Sequence, residues 1–237
     1  MNDMTQANKQ GWDGLAATHY KNYHIHKLLG GAPLLNELIR SEVGDVTGKS
    51  LAHLLCHIGT DTLSWALLGA QVTGIDISPE SLGYARLLAN KMDIPAQFIE
   101  ADIMDVIDVV EQKFDIVYSS TGVLCWLPDI RRYAQTVRHL LKEDGFFYIF
   151  DGHPFREVFQ YEEMGDYTDP ELLVPVKSYE WHWTMGDIIT ALCDAGMRIA
   201  FLHEFPQYFY NGYTPYDVAN DRVELYPCTF SLKALAR

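Results

Sequence analysis

The feature that most constrains the fold is an alternation of short apolar stretches with helical stretches between residues 49 and 152. The apolar stretches predict β-strands, and the segments between them carry apolar residues at helical spacing. The predicted strands cover residues 49–55, 71–77, 96–102, 114–120 and 146–152. Strands joined by helices of this length run parallel through right-handed crossovers, so the pattern predicts a doubly wound α/β sheet.

Local signals mark where several helices begin. Ser78 followed by Pro79 supplies a side-chain cap and a proline at the first helical position. Residues 129–145 have an apolar face and end in a glycine, which predicts a helix over that whole range. Thr184 and Asp187 have the spacing of a capping box, so another helix is expected to begin there.

The pattern changes after residue 152. Residues 153–183 are irregular and rich in aromatic side chains, and a helix and two further strands follow. No clear helix joins those two strands, which predicts that the final strand of a mostly parallel, seven-stranded sheet is antiparallel. We therefore expect a single domain. Its parts are a helical N-terminal lid (1–48), a core (49–152), an insertion beside the substrate (153–183) and closing elements (184–237).

Composition excludes some classes of partner. The 237 residues are 48% hydrophobic and 21% charged, as in a folded globular protein. Eighteen basic residues against 32 acidic ones give a net charge of −14, which argues against a nucleic acid partner. No apolar stretch predicts a membrane span or a signal peptide, so we expect a cytoplasmic protein without a membrane partner. The four cysteines form no CxxC pair and indicate reduced thiols, and both monomer and homodimer stay open.

Polar or small residues follow every predicted strand of the core. In an open α/β sheet, ligands bind beyond the carboxyl ends of the strands. A carboxylate at the second strand end suits ribose hydroxyls, and one at the third could accept from an adenine amino group. Any one aspartate would more often be a turn residue, but five such ends in succession indicate a nucleotide site. These ends are Cys56–Gly59, Asp76, Asp102, Ser119–Gly122 and Asp151–Pro154.

Three segments carry a resemblance to a known family. They read "HLLCHIGTDTLSWALLGAQVTGIDIS", "FIEADI" and "FDIVYSSTGVLCWLPDI". Over about residues 49–152 the chain resembles the class I S-adenosylmethionine-dependent methyltransferases. The resemblance implies a Rossmann-like fold and transfer of a methyl group from S-adenosyl-L-methionine to a small-molecule acceptor, with S-adenosyl-L-homocysteine as the product. It also implies that the N-terminal helices fold over the cofactor.

The first motif departs from the family pattern, which is an acidic residue followed by GxGxG. His53 takes the place of the acid, and Leu55, His57 and Gly59 take the places of the three glycines. Glycine permits positive φ and close approach of the backbone to a ligand. We therefore expect Leu55 and His57 to adopt ordinary backbone conformations or to seat the cofactor slightly farther out. In the family the acid helps to hold the amino end of the methionine part of the cofactor, and His53 or another group would have to replace it.

The resemblance assigns most of the candidate site. Asp76 would bind the ribose, Asp102 the adenine end, and Gly59 would allow close approach. Asp61 and Thr62 begin a helix, where we expect them to act as N-caps that also contact the cofactor. The full predicted cofactor set is Tyr20, His57, Gly59, Asp61, Thr62, Asp76, Ile77, Asp102, Ile103, Ser119 and Ser120.

Two residues are candidates for a catalytic role. His153 follows the fifth strand on the acceptor side, and an unperturbed pKa of about 6.5 suits a general base. The alternative is that His153 only shapes the turn. Tyr20 is the best lid contact in the N-terminal segment, although core packing explains it nearly as well.

Other functions were weighed against methyl transfer. His53, Cys56 and His57 could bind a metal, but side chains alternate in direction along a strand, so no metal is expected. A nicotinamide site would need GxGxxG, which is absent. Two alternatives keep the same cofactor: a cyclase or isomerase on the methyltransferase fold, and a binding protein without catalysis. Secondary metabolism is the expected setting for a small-molecule methyltransferase.

Overall fold

Helices surround a central sheet in this chain. The computed structural model describes residues 2–155, 178–206, 208–210, 214–216 and 227–236. The helices are α1 (Asp3–Asn22), α2 (Ile25–Leu29), α3 (Glu37–Val43), α4 (Thr60–Leu67), α5 (Pro79–Met92), α6 (Val106–Val109), α7 (Ile130–Leu140) and α8 (Met185–Asp194), with a 3₁₀ turn at Leu124–Trp126. None of the helices in these ranges has the length and hydropathy needed to cross a bilayer.

The strands form the predicted seven-stranded sheet. They are β1 (Ser50–Leu54), β2 (Gln71–Asp76), β3 (Gln97–Glu100), β4 (Phe114–Ser120), β5 (Leu141–Gly152), β6 (Arg198–Phe205) and β9 (Thr229–Leu235), in the order β3-β2-β1-β4-β5-β9-β6. β7 (Tyr208–Tyr210) and β8 (Thr214–Tyr216) form a separate pair. β1 to β5 are parallel neighbours, and β9 is antiparallel to both β5 and β6. The doubly wound fold and its antiparallel last strand are confirmed.

Helix starts follow the local signals, whereas one helix end does not. The Ser78 side chain caps α5, and Thr184 and Asp187 form a complete capping box on α8. The prediction of a helix over 129–145 is wrong at its end, because α7 stops at Leu140 and β5 begins at Leu141. A Cβ at Gly145 would lie 3.0 Å from the carbonyl oxygens of two β4 residues, so this glycine serves strand packing instead.

Apolar side chains fill both faces of the sheet. On one face Val117 and Phe147 pack with Tyr133 and Val137 of α7. On the other face the fully buried Tyr118, Tyr148, Phe150 and Trp65 form a second cluster. Burying a side chain of this size contributes about 1.5–3 kcal/mol, so the two clusters hold the strands in place. The order of strands reverses between β1 and β4, and at such a reversal an open α/β sheet is expected to form a ligand crevice at the carboxyl ends of its strands.

A third apolar cluster fixes the N-terminal helices to this edge of the sheet. Ala16 of α1 and Leu28 of α2 pack with Leu63 of α4 and Leu88 of α5. All four side chains are fully buried. This packing sets α1 beside the turn that follows β1, where the candidate site begins.

Candidate cofactor site

The turn after β1 is left-handed at each of three alternate positions. Leu55 has a φ of 55°, His57 a φ of 48° and Gly59 a φ of 75°. These are the places of the three family glycines, so the backbone keeps the conformation that glycine favours. The expectation of ordinary conformations at Leu55 and His57 is therefore wrong. A left-handed non-glycine residue costs about 1–2 kcal/mol, and neighbouring contacts must offset that cost.

Contacts explain why only the last glycine is required. The Leu55 side chain packs against the main core cluster, and the His57 ring has two hydrogen-bond partners. At Gly59, by contrast, a Cβ would lie 2.9 Å from Ala85 Cβ and 3.1 Å from the Phe98 ring. The first two positions thus have room for a side chain that contributes packing or bonding, and the third has none.

Asp76 joins this turn to the end of β2. It is 8% exposed, its Oδ2 accepts the His57 N–H at 2.7 Å, and its Oδ1 accepts the Ser78 N–H at 2.9 Å. Burial raises the pKa of Asp76 to about 6, and the backbone hydrogen bonds act in the opposite direction. Each carboxylate oxygen can accept more than one hydrogen bond, so Asp76 can bind further hydroxyl groups in this position.

The His57 ring points towards α1 and α5. Its Nδ1 lies 2.9 Å from Ser81 Oγ and its Nε2 lies 2.8 Å from His19 Nδ1, while the Trp12 ring packs edge-on at 5.0 Å. Burial and, to a smaller extent, the adjacent His19 lower the pKa of His57 to about 3. Near neutral pH, a neutral His57 therefore bonds α1 to the turn after β1.

Helix α1 lies over the carboxyl ends of the first three strands. The Ser78 hydroxyl donates to Asp13 Oδ1 at 2.6 Å, and Lys9 Nζ lies 3.6 Å from Glu100 Oε1. Asn8 exchanges two hydrogen bonds with the backbone of Tyr179. Sequence reasoning missed Asn8, Trp12 and His19, although the helical spacing of positions 8, 12, 15 and 19 places them on one face.

Tyr20, predicted as a lid contact with a catalytic role, lies elsewhere. Its hydroxyl accepts a hydrogen bond from Lys91 Nζ at 2.9 Å, and its ring is 4.8 Å from that of Tyr84. Both partners belong to α5, so Tyr20 helps to dock α1 on α5. His19, one residue earlier on the helix, contacts the turn instead.

Asp61 and Thr62 are not N-caps. The N-cap residue of α4 is Gly59, which has no side chain to accept a hydrogen bond from the helix. Asp61 Oδ2 accepts hydrogen bonds from Tyr118 Oη at 2.9 Å and Ser120 Oγ at 2.8 Å, and Thr62 Oγ1 lies 2.8 Å from His53 Nδ1. The N-cap prediction is therefore wrong, because both side chains turn into the sheet instead of back along their own helix.

The remaining cofactor candidates have mixed surroundings. Asp102, two residues beyond β3, is partly buried, and its Oδ1 accepts the Met104 N–H at 3.0 Å. Burial raises the pKa of Asp102. Ile103 is buried in the main core cluster, and Ser119 Oγ lies 2.7 Å from Tyr133 Oη on a buried face of β4. Ile77 is partly exposed next to Asp76, which leaves its side chain available to a ligand.

His153, the predicted general base, has partners on both ring nitrogens. Its Nδ1 accepts the Phe155 N–H at 3.0 Å, and its Nε2 lies 2.7 Å from Glu204 Oε1. A general base needs a lone pair directed at the substrate, and this arrangement leaves His153 none. These contacts support the alternative, in which His153 shapes the chain after β5.

The side chains of His53, Cys56 and His57, considered above as metal ligands, do not converge on one point. His53 bonds to Thr62, Cys56 Sγ donates weakly to the His57 carbonyl, and His57 bonds to α1 and α5. Over the residues that the structure describes, no three His, Cys, Asp or Glu side chains are arranged to hold a metal ion.

Asp151 holds the loop after β4 in place, a role that sequence reasoning did not assign. It is 3% exposed and accepts backbone N–H groups from Gly122, Val123, Leu124 and Gly152. Because four donors converge on one carboxylate, Asp151 fixes the loop that borders the crevice opposite Asp76. Its position at a strand end was the only sequence signal.

The buried His53 makes stability depend on pH. Burial lowers its pKa to about 4, with a smaller opposing effect from Asp61, whereas an unfolded histidine titrates near 6.5. The unfolded state therefore binds the proton first as pH falls, so this contribution to stability is present above about 6.5 and is lost towards pH 4. The pKa of Asp76 is raised instead of lowered, so its effect on stability opposes that of His53 as pH falls. A variant of His53 is therefore needed to separate the two contributions.

We expect His53→Asn to lose less stability than the native chain on acidification. Between pH 7 and 4.5 the difference in the change of unfolding free energy should be about 2 kcal/mol, because asparagine does not titrate. Urea unfolding at both pH values measures it, and the contribution of Asp76 cancels between the two proteins. Equal losses in both proteins would show that His53 is not buried as a neutral group.

Comparisons with known proteins find methyltransferases among the proteins that are similar to this chain. Residues 53–149 match a family described as a methyltransferase domain. A ubiquinone biosynthesis O-methyltransferase of Actinobacillus pleuropneumoniae is 27% identical over 159 residues, which are 63% of this chain. An uncharacterised methyltransferase of Synechocystis is also 27% identical, over 126 residues, 53% of this chain and 57% of that protein. The chain covers 65% of the length of the first relative, just under two thirds.

Solved structures show the same fold. An S-adenosylmethionine-dependent methyltransferase from Mesorhizobium loti aligns with a TM-score of 0.62 at 24% identity, over 87% of this chain and 99% of that one. A magnesium protoporphyrin IX methyltransferase from Synechocystis, solved with bound S-adenosylhomocysteine, aligns with a TM-score of 0.56 at 18% identity, over 98% and 84%. Residues 53–149 thus match the methyltransferase domain family, and the chain shares the fold of these solved methyltransferases.

Proposed function

We propose that this chain transfers a methyl group from S-adenosyl-L-methionine to a small-molecule acceptor. The observation that carries the proposal is the hydrogen bond between the turn after β1 and the Asp76 carboxylate. The left-handed turn keeps its backbone form without two of its glycines, and the His57 N–H in that turn bonds to Asp76 at the end of β2. Retention of this arrangement despite the strain of two substituted positions supports a binding role for the turn.

The residues present fit such a cofactor. Asp76 has capacity for the two ribose hydroxyls, and Gly59 lies where a Cβ has no room. Asp102 and the partly exposed Ile77 would meet the adenine from the β2 and β3 side. S-adenosylmethionine supplies a methyl group already activated by its sulfonium, so the protein's contribution is orientation of the two reactants, which can lower a barrier by several kcal/mol.

Helix α1 would shield the reaction from water. In the structure it is bonded to the turn through His19 and to the end of β2 through Asp13. Exclusion of water strengthens electrostatic contacts within a site and prevents side reactions. The proposal assigns no general base, because both ring nitrogens of His153 have partners.

Aromatic residues suggest the kind of acceptor. The rings of Trp12 and Trp126 are half-buried and pack edge-on, with 5.3 Å between their centroids, beside the turn after β1. The backbone N–H of Trp181 donates to the Cys125 carbonyl, which brings the segment after residue 178 to the same place. Aromatic walls favour flat apolar molecules. We propose a flat, apolar acceptor, as the ubiquinone biosynthesis relatives also suggest. Of the predicted insertion at 153–183, residues 156–177 lie outside the described part of the chain.

Calorimetry with S-adenosylmethionine and S-adenosylhomocysteine tests the proposal first. We expect micromolar affinity for both ligands. Incubation with a panel of flat phenolic, quinol and amine acceptors should then produce S-adenosylhomocysteine, measured by mass spectrometry, and omission of the acceptor is the control.

The outcomes separate the alternatives. Failure to bind either ligand would refute every function based on this cofactor. Binding without S-adenosylhomocysteine production across the panel would favour a cyclase, an isomerase or a binding protein without catalysis.

A further inference from the structure

We propose that a cavity at the amino ends of β4 and β5 binds the phosphate group of a small phosphorylated molecule. The cavity has a volume of about 640 Å³, and its lining includes Lys113 before β4, Arg138 in the last turn of α7 and Lys142 near the start of β5. The candidate cofactor site lies at the other end of the same strands, where Ser120 ends β4. This second site is therefore independent of the proposed function.

The charge of the cavity differs from that of the whole chain. Acidic residues outnumber basic ones by 32 to 18 in the sequence. Among the described residues that line the cavity, by contrast, three are Lys or Arg and only Glu143 is acidic. Lys142 is paired with Asp115 at 2.9 Å, so its charge is already balanced. Lys113 and Arg138 are therefore the cations that a bound anion would meet.

Arg138 is the lining residue with the most unused hydrogen-bonding capacity. It is half-buried, yet its guanidinium forms no hydrogen bond or ion pair within the part of the chain that the structure describes. Burial and, to a smaller extent, the charge of Arg138 lower the pKa of Lys113, so two like charges act on each other beside the cavity. The planar donors of a guanidinium match the oxygens of a phosphate. A phosphate between the two side chains would replace their repulsion with charge-assisted hydrogen bonds.

The rest of the cavity suits the organic part of such a ligand. Lys113 Nζ donates to the His139 carbonyl at the end of α7, which holds the ammonium at the cavity and leaves it further N–H donors. Leu141 and Ala195 add apolar surface to the lining. Small-molecule pockets have volumes of about 300–1,000 Å³, and this cavity falls within that range. It is therefore large enough for a phosphorylated organic molecule and not only for free phosphate.

A purely structural role of Arg138 is the alternative. Arg138 and His139 lie in the last turn of α7, where a cation stabilises a helix through its dipole. That role predicts a loss of stability when Arg138 is replaced, but it predicts no binding of phosphate. Phosphate affinity therefore separates the two explanations.

Calorimetry of the full chain with phenyl phosphate and inorganic phosphate tests the inference. We expect one phenyl phosphate to bind with a dissociation constant of about 1 mM or lower in about 20 mM salt, where charges are weakly screened. Inorganic phosphate should bind about three- to tenfold more weakly, because it has no apolar part to contact Leu141 and Ala195. Equal affinities would overturn the organic part of the proposal and leave inorganic phosphate as the ligand.

Three variants locate the binding. Arg138→Gln should lower the affinity for phenyl phosphate by about 10-fold or more, the effect of losing a charge-assisted hydrogen bond. Glu143→Gln should raise the affinity by about two- to fivefold, because it removes a negative charge from the lining. Arg131→Gln is the matched control: Arg131 lies on the same helix, is exposed and pairs with Asp194 outside the cavity, so its replacement should leave the affinity unchanged.

Each result has a distinct meaning. A loss in Arg138→Gln together with a gain in Glu143→Gln supports a phosphate site at this cavity. Absence of binding by the native chain, or native affinity in a folded Arg138→Gln variant, overturns it. If Arg138→Gln does not fold, as judged by its thermal unfolding, the exposed Lys113→Gln decides the question, with an expected loss of about fivefold. None of these outcomes changes the standing of the proposed function, which the binding of S-adenosylhomocysteine tests separately.

Discussion

Asp76→Asn is expected to lower the affinity for S-adenosylhomocysteine by about 100-fold or more. Two hydrogen bonds from ribose hydroxyls to a carboxylate contribute about 1.5–3 kcal/mol each, and asparagine can accept only one of them. The amide nitrogen would also face a backbone N–H of His57 or Ser78, which donate to the two carboxylate oxygens. This variant should lose affinity equally for 5′-methylthioadenosine, which lacks the amino-acid tail, because both ligands share the ribose.

Calorimetry with both ligands measures the effect, and the thermal unfolding of the unliganded variant shows whether it is folded. Asp102→Asn is a matched control at the next strand end, where the side chain is only partly buried. There we expect a loss of about fivefold, since an exposed hydrogen bond contributes about 1 kcal/mol. A folded Asp76→Asn variant with native affinity would remove the ribose assignment and with it the main support for the proposed function.

Asp151→Ala is expected to reduce the free energy of unfolding by about 3 kcal/mol or more. The substitution leaves the backbone N–H groups of Gly122, Val123, Leu124 and Gly152 without their acceptor in a buried place. An unsatisfied buried donor costs about 1–3 kcal/mol, and entry of water into the truncated site offsets part of the total. So large an effect is rare for a single substitution and would identify the carboxylate as the anchor of the loop.

Urea unfolding at pH 7 measures this cost. Asp144→Ala, on an exposed position of the same strand, should change the free energy of unfolding by less than about 0.5 kcal/mol. The loop that Asp151 holds borders the crevice, so cofactor affinity should fall as well. A loss of stability below about 1 kcal/mol would mean that the four N–H groups find other acceptors.

The arrangement of the core could be read from local patterns. Apolar runs at β1 to β5 and the capping residues Ser78 and Thr184 act within a few neighbouring residues, so they identify elements before any tertiary contact is known. The strand-end rule then placed Gly59 and Asp76 at one edge of the sheet, and in the structure Asp76 bonds to the His57 N–H, two residues before Gly59. The end of α7 was missed because pairing of Leu141 with Phe114 on β4 decides it, and that pairing is not local.

The fine structure of the site depended on distant partners. His57 meets His19 across 38 positions of the chain, and Tyr118 meets Asp61 across 57. Spacing along the sequence predicted N-capping for Asp61 and offered His153 as a candidate general base, because the partners of these residues on β4 and β6 have no local signature. The same is true of Tyr20, whose partners Tyr84 and Lys91 lie on another helix.

The sequence by itself thus determined the strand and helix alternation, the antiparallel final strand and the edge of the sheet where the polar strand ends gather. Hydrophobic periodicity and capping are local, and they suffice for that level of description. Only the tertiary structure decided that Leu55 and His57 take left-handed conformations, that His19 of α1 bonds to the turn, and that Asp61 bonds to β4. Those features follow from packing and hydrogen bonds between elements far apart in the chain, and such contacts exist only once the sheet has assembled.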